Sequence, residues 1–235
     1  MSAEHRFFLG YALAAAAVLI VGFAPSYALP LLGIDTPLAR HGLPLVVHLH
    51  GIVFFGYLGL YVGQTWLAAS GRAALHRRMG ALAGPPMFAA LLAVGVAIAL
   101  WGPERVATDP AAVAFLAWLV GDILMIAVFM GGALLLRRDP GTHKRLMALA
   151  MAVMVAPGLG RIAGWAGLPM HVTLSGPPTL FALALVAFDL VHRGRLHRAT
   201  AWGVPLLFVS QALRAWAMES PGWLPTGAAF LVSVQ

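Results

Sequence analysis

The chain has 235 residues, 61% of them hydrophobic and only 10% charged, with a formal net charge of +7 and no cysteine. A soluble domain carries roughly 25% charged and 45–50% apolar residues, so a globular core cannot hide this much apolar surface, whereas a bilayer can. Without cysteine there are no disulfides, thiolate metal sites, iron–sulfur clusters or cysteine nucleophiles, and any metal must be held by His, Met or carboxylates.

Apolar runs fall at about 7–29, 44–69, 79–101, 111–136, 146–166, 173–191 and 200–218, and a span needs about 20 apolar residues. They predict an all-α polytopic transmembrane bundle of about seven spans. No polar linker is long enough to separate a second domain, so 1–235 reads as one integral membrane domain. The first run follows a short segment, Met1 to Arg6, and continues through Pro25 without a convincing cleavage site. It reads as a retained span, not a signal peptide. Pro85-Pro86, Pro157 and Pro177-Pro178 are expected to kink or break the third, fifth and sixth spans. Gly59-x-x-x-Gly63 and Gly160-x-x-x-Gly164 would allow close helix contact. The tail from Glu219 holds an apolar stretch, Gly227 to Val234, that is too short to span and reads as interfacial.

The basic residues sit in the short loops, so they read as topology signals and not as a nucleic-acid surface. One set of alternate loops holds Arg6, Arg72, Arg77, Arg78, Arg137, Arg138, Lys144, Arg145, Arg193, Arg195 and Arg198; the other holds Arg40 and Arg105. Positive loops stay inside, which predicts a cytoplasmic N-terminus and an outside C-terminus. Three of the basic loops end alike, in Leu75-His76-Arg77-Arg78, Thr142-His143-Lys144-Arg145 and Leu196-His197-Arg198. The likeness suggests three helical hairpins added to a first helix.

His50-Gly51 with Gln64, Leu75-His76-Arg77-Arg78-Met79-Gly80, His143-Lys144-Arg145-Leu146-Met147 and Gly194-Arg195-Leu196-His197 carry a resemblance. From about residue 48 to residue 215 the chain resembles a group of bacterial multi-pass membrane proteins of about seven helices. That group has no assigned activity. The resemblance implies the span count and draws attention to the histidines.

Ionisable side chains at bilayer depth are costly and usually face the bundle interior. His50, Asp122, Arg161 and Arg214 stand out, joined by Gln64 and Gln211. In the second span His50, Phe54, Tyr57, Tyr61 and Gln64 recur at i, i+4, i+7, i+11 and i+14, on one helix face that should point inward. Asp122 lies roughly 16 Å into its span and His50 about 9 Å from the outer end of its own. His50, Arg161 and Arg214 could line an outward pocket floored by Asp122 and Gln211, with cationic surplus for a carboxylate, phosphate or haem propionate. Equally, Asp122 could pair with one Arg and simply lock two helices while the other Arg snorkels. His50 and His171 share a level within about two helical turns, as haem b ligands would.

His76, His143 and His197 share one level at the basic surface, and three His can hold a metal. Each is followed at once by Arg or Lys, which repels a cation and asks instead for an anion: a lipid phosphate, Asp139 or Asp189. Met147, Met151 and Met154 recur along one face of the fifth span, as copper ligands or as flexible packing. The leading expectation is a membrane redox or cofactor-binding protein holding haem or a quinone-like ligand through intramembrane His and Arg. The alternatives are a small transporter or lipid-binding protein for an anionic solute, or a non-catalytic subunit of a membrane complex. Expected partners are the bilayer and anionic headgroups at the cytoplasmic face, with a larger complex or a homo-oligomer both open.

Overall fold

The structure, a computed structural model, describes residues 1–36, 42–101, 110–168, 170–220, 222–223, 225–226 and 229, without the side chains of 110–114, 170 and 171. Among the described residues every regular element is helical. Helix α1 spans Ala3–Phe23, and Ser2 caps it by accepting the His5 N–H at 3.2 Å. The rod continues through a π-helical turn, Ala24–Ala28, at Pro25, which lacks the N–H a regular turn would use. One more turn, Leu29–Leu31, ends it. Then follow α2 (Leu45–Ala69), α3 (Ala73–Leu100), α4 (Pro110–Leu135), α5 (Pro140–Met154), α6 (Ala156–Trp165), α7 (Met170–Arg193) and α8 (Arg198–Glu219).

Helices α5 and α6 run end to end as one rod, which makes seven rods, six of them long and apolar enough to cross a membrane. The seventh, α8, has 22 residues but carries Arg198, Arg214 and Glu219. At 1.5 Å per residue it is about 33 Å long, enough to pass beside the others.

Helix α5 is the centre. Leu146 and every residue from Ala148 to Ala156 is buried. A helix that is apolar all round belongs inside, and Ala148, Ala150 and Ala152 let neighbours approach closely. The other rods ring it in the order α1, α2, α3, α4, α8, α7, and α6 closes the circle between α7 and α1. The outer surface is apolar: Ile52, Leu82, Leu135, Val191 and Trp216 are each more than three-fifths exposed. An apolar girdle of that kind is a lipid contact surface.

Two helices start earlier than the apolar runs predict, at Ala73 and Pro140 in place of 79 and 146. The His-Arg-Arg and His-Lys-Arg strings therefore sit in first turns, not in loops. Long basic side chains carry their heads to water while the backbone stays helical. The α2–α3 turn shrinks to three residues, Ser70 to Arg72, with Gly71 at φ 79°. Asp139 caps α5 by accepting the N–H groups of Gly141 and Thr142, with Pro140 in the first position.

Of the three expected sites, one breaks its helix. Only Pro157 interrupts its rod, at Val155; α3 runs through Pro85-Pro86 and α7 through Pro177-Pro178. Packed neighbours and local adjustment tolerate such breaks in the hydrogen-bond ladder. The apolar tail stretch, Gly227 to Val234, lies almost wholly outside the described residues, as do Arg40, His41 and Arg105.

Candidate cofactor site

Phe54, Tyr57 and Tyr61 on α2 are all buried, so the polar–aromatic face points into the bundle. Tyr57 stacks on Tyr61 at 6.1 Å between ring centres, and His50 on Phe54 at 6.0 Å. At the basic end of this ladder a cavity of about 200 Å³ opens between α1, α2, α3 and α5. Tyr61, Gln64, His76, His143, Lys144 and Met147 are among its walls.

The two histidines come together from different helices, His76 on α3 and His143 on α5, with ring centres 6.4 Å apart and planes at 80°. His76 Nδ1 lies 3.1 Å from the Gln64 carbonyl and His143 Nδ1 2.8 Å from the Ala133 carbonyl. A carbonyl only accepts, so both Nδ1 atoms carry the proton and donate it. In the neutral imidazoles Nε2 is then a free lone pair. Beside them, both polar atoms of the Gln64 carboxamide are buried without a hydrogen-bond partner. Such atoms are costly to leave unmet, and these two belong to a side chain in the cavity wall.

The third loop histidine does not join this pair. His197 caps α8, accepting the Ala199 N–H on Nδ1 at 3.1 Å. Among the described residues no group of three or more His, Asp or Glu is arranged to hold a metal ion. For three of the neighbouring cations the anion comes from the chain itself. Asp189 pairs with Arg145, Asp139 with Arg198 at 2.5 Å, and Glu4 with Lys144 at 2.6 Å. Hydrogen bonds from Thr142 and Arg198 hold the Asp139 carboxyl below the usual carboxylate range.

The remaining intramembrane polar residues fall at several helix contacts, with Arg161 on α6 within electrostatic reach of His50 on α2. Asp122 on α4 pairs with Arg214 on α8, whose guanidinium lies 4.6 Å over the Trp118 ring. This is the helix-locking arrangement. Gln211 exchanges contacts with α7, accepting the Thr179 hydroxyl at 3.2 Å. Arg161 on α6 lies 4.0 Å over the Phe23 ring of α1 and donates to the Pro157 carbonyl. His50 keeps a buried Nδ1 without a partner. The side chain of His171 lies outside the described set.

His197 titrates outside the spans. Burial, with Arg145 and Arg193 nearby, holds its imidazole below the ordinary range. A lowered folded value means the neutral cap stabilises fully above the unfolded pKa of about 6.5 and is lost as pH falls through the folded value. His197→Asn, which caps without titrating, is expected to give a flatter melting-temperature profile than wild type below about pH 6.5. Thermal unfolding in detergent across a pH series measures this; parallel profiles would refute the capping role.

No protein-family model matches the chain, and no curated protein or solved structure matches it significantly.

Proposed function

We propose that this chain is a membrane redox or cofactor-binding protein whose small cofactor is held in the cavity by His76 and His143. The observation that carries the reading is the pinning of both rings through Nδ1. Two imidazoles are thereby pre-oriented with Nε2 free beside an unsatisfied carboxamide, an expensive arrangement for a purely structural role. Size narrows the class. An apolar cavity of about 150 Å³ accepts a benzene ring, so about 200 Å³ suits a metal ion or a quinone-like ring. A haem, four such rings in one macrocycle, exceeds that volume and would have to extend through the cavity mouth. The anionic-solute alternative is weakened because Asp122 already neutralises Arg214, one of the two cations it relies on.

We read the basic end as the cytoplasmic face of a bacterial inner membrane. Arg77, Arg78, Arg137, Arg138, Arg193 and Arg195 are exposed around it, where anionic headgroups would meet them.

Protein purified gently from its membrane is expected to carry a ring compound or a metal, seen by organic extraction or elemental analysis. If not, it should take one up in vitro. The His76→Ala/His143→Ala double variant should hold neither. Wild type that neither retains nor takes up either class would sink the reading.

A further inference from the structure

We propose that the cavity is a Cu(I) site, with Nε2 of His76 and of His143 as nitrogen ligands and Met147 as the thioether ligand. This rests on reading the cavity as a cofactor site, and it names the cofactor.

Four observations converge. First, histidines that bind metals characteristically donate their other ring N–H to a carbonyl or carboxylate, and both of these do so. Second, the spacing suits the ion. With metal–nitrogen bonds of about 2 Å, two imidazole centres lie about 6 Å apart when the bonds are nearly collinear and about 5 Å apart at a tetrahedral angle. The observed 6.4 Å matches the nearly collinear pair of nitrogen bonds that Cu(I) adopts, with the thioether as a third ligand from the side.

Third, the remaining donor is soft. His143 and Met147 stand four residues apart on α5, hence on one face, and both line the cavity. Thioether sulfur selects Cu(I) among the first-row ions. A borderline ion such as Zn(II) wants four closed ligands, and His, Asp and Glu do not supply even three together among the described residues.

Fourth, the charge balance favours a monovalent ion. Lys144 is part of the same wall, and the Glu4 carboxylate that lines it is already 2.6 Å from Lys144. With that carboxylate committed to Lys144, the site offers neutral ligands alone, which leave a dication twice the unmet charge of a monocation.

The test uses the full chain in nanodiscs under anaerobic, reducing conditions, with Cu(I) supplied as its bicinchoninate complex. Wild type is expected to withdraw one copper per chain. X-ray absorption at the copper edge should show imidazole nitrogens and one sulfur. Met147→Leu keeps the packing volume, so it should melt as wild type does, bind about 10-fold or more weakly, and lose the sulfur scatterer. His76→Ala and His143→Ala should each abolish uptake. Wild type that leaves copper on bicinchoninate overturns the proposal, as does a Met147→Leu variant with unchanged affinity and spectrum. If copper fails while a quinone-like ring binds in a His76- and His143-dependent way, only the copper assignment falls. If neither binds, the cofactor site falls with it.

Discussion

Replacing Arg145 with Met is expected to cost the fold about 3–5 kcal/mol, the usual penalty for stranding one partner of a buried ion pair. Arg145 and Asp189 are both fully buried, on α5 and α7. Their contacts are more than a single pair. Asp189 also accepts the Thr200 hydroxyl at 2.6 Å and the His197 N–H at 3.0 Å, and Arg145 donates to the Gly141 carbonyl at 3.0 Å. One carboxylate thus ties the central helix to α7 and to the start of α8.

This gives an order among variants. Asp189→Leu removes the acceptor for three donors and leaves Arg145 buried and charged, so it should be the worst. Arg145→Met leaves Asp189 two of its hydrogen bonds. The double variant Arg145→Met/Asp189→Asn removes both charges, and its amide oxygen can still accept from Thr200 and His197. It should recover much of the loss, with coupling of about 0.5–3 kcal/mol once the Asp189→Asn single variant closes the cycle. SDS-driven unfolding in mixed micelles, read by circular dichroism, gives all four values. An Arg145→Met protein within about 1 kcal/mol of wild type would mean the pair only breaks even against a hydrophobic replacement.

Hydropathy and charge carried the helices because both are one-dimensional signals: each apolar run must satisfy its own backbone in lipid. The inward face of α2 was legible for a related reason. His50, Tyr57, Tyr61 and Gln64 share a helical period that needs no knowledge of a neighbour. What the sequence could not carry was which helix meets which. His76 and His143 converge because α3 and α5 flank the same gap, whereas His197, in an equivalent string, turns back to cap its own helix. Likewise Arg214 and Arg161 were equal claimants for Asp122, and only the adjacency of α4 and α8 decides between them. The central place of α5 had a local sign, apolar residues on every side, but lipid-facing helices show the same composition.

The second large effect is expected at Gly22, where α1 crosses α6 backbone to backbone. A Cβ on Gly22 would lie 2.3 Å from the Gly158 carbonyl oxygen. A Cβ on Gly158 would meet the Leu19 Cα at 3.0 Å and its Cδ2 at 2.9 Å. Backbone cannot turn aside as a flexible side chain can, so Gly22→Ala must push the helices apart. The crossing carries the α6 segment after the Val155 break, so displacement also shifts Arg161 from its seat over Phe23. Overpacking of this kind costs about 1–3 kcal/mol, and Gly22→Leu should exceed Gly22→Ala. Gly10, on the same helix, has nothing within 4 Å of a built Cβ. There Ala should be neutral or stabilise by up to about 1 kcal/mol, because glycine is the poorer helix former. The motif glycines Gly59, Gly63 and Gly164 resemble Gly10, each opening on empty space where alanine should be equally mild, whereas a Cβ on Gly160 would lie 2.9 Å from the Thr173 carbonyl oxygen, the close contact its motif predicts. Unfolding measurements on these variants separate close approach from mere glycine spacing. Equal small effects at Gly22 and Gly10 would show that the α1–α6 crossing is wider than the structure places it.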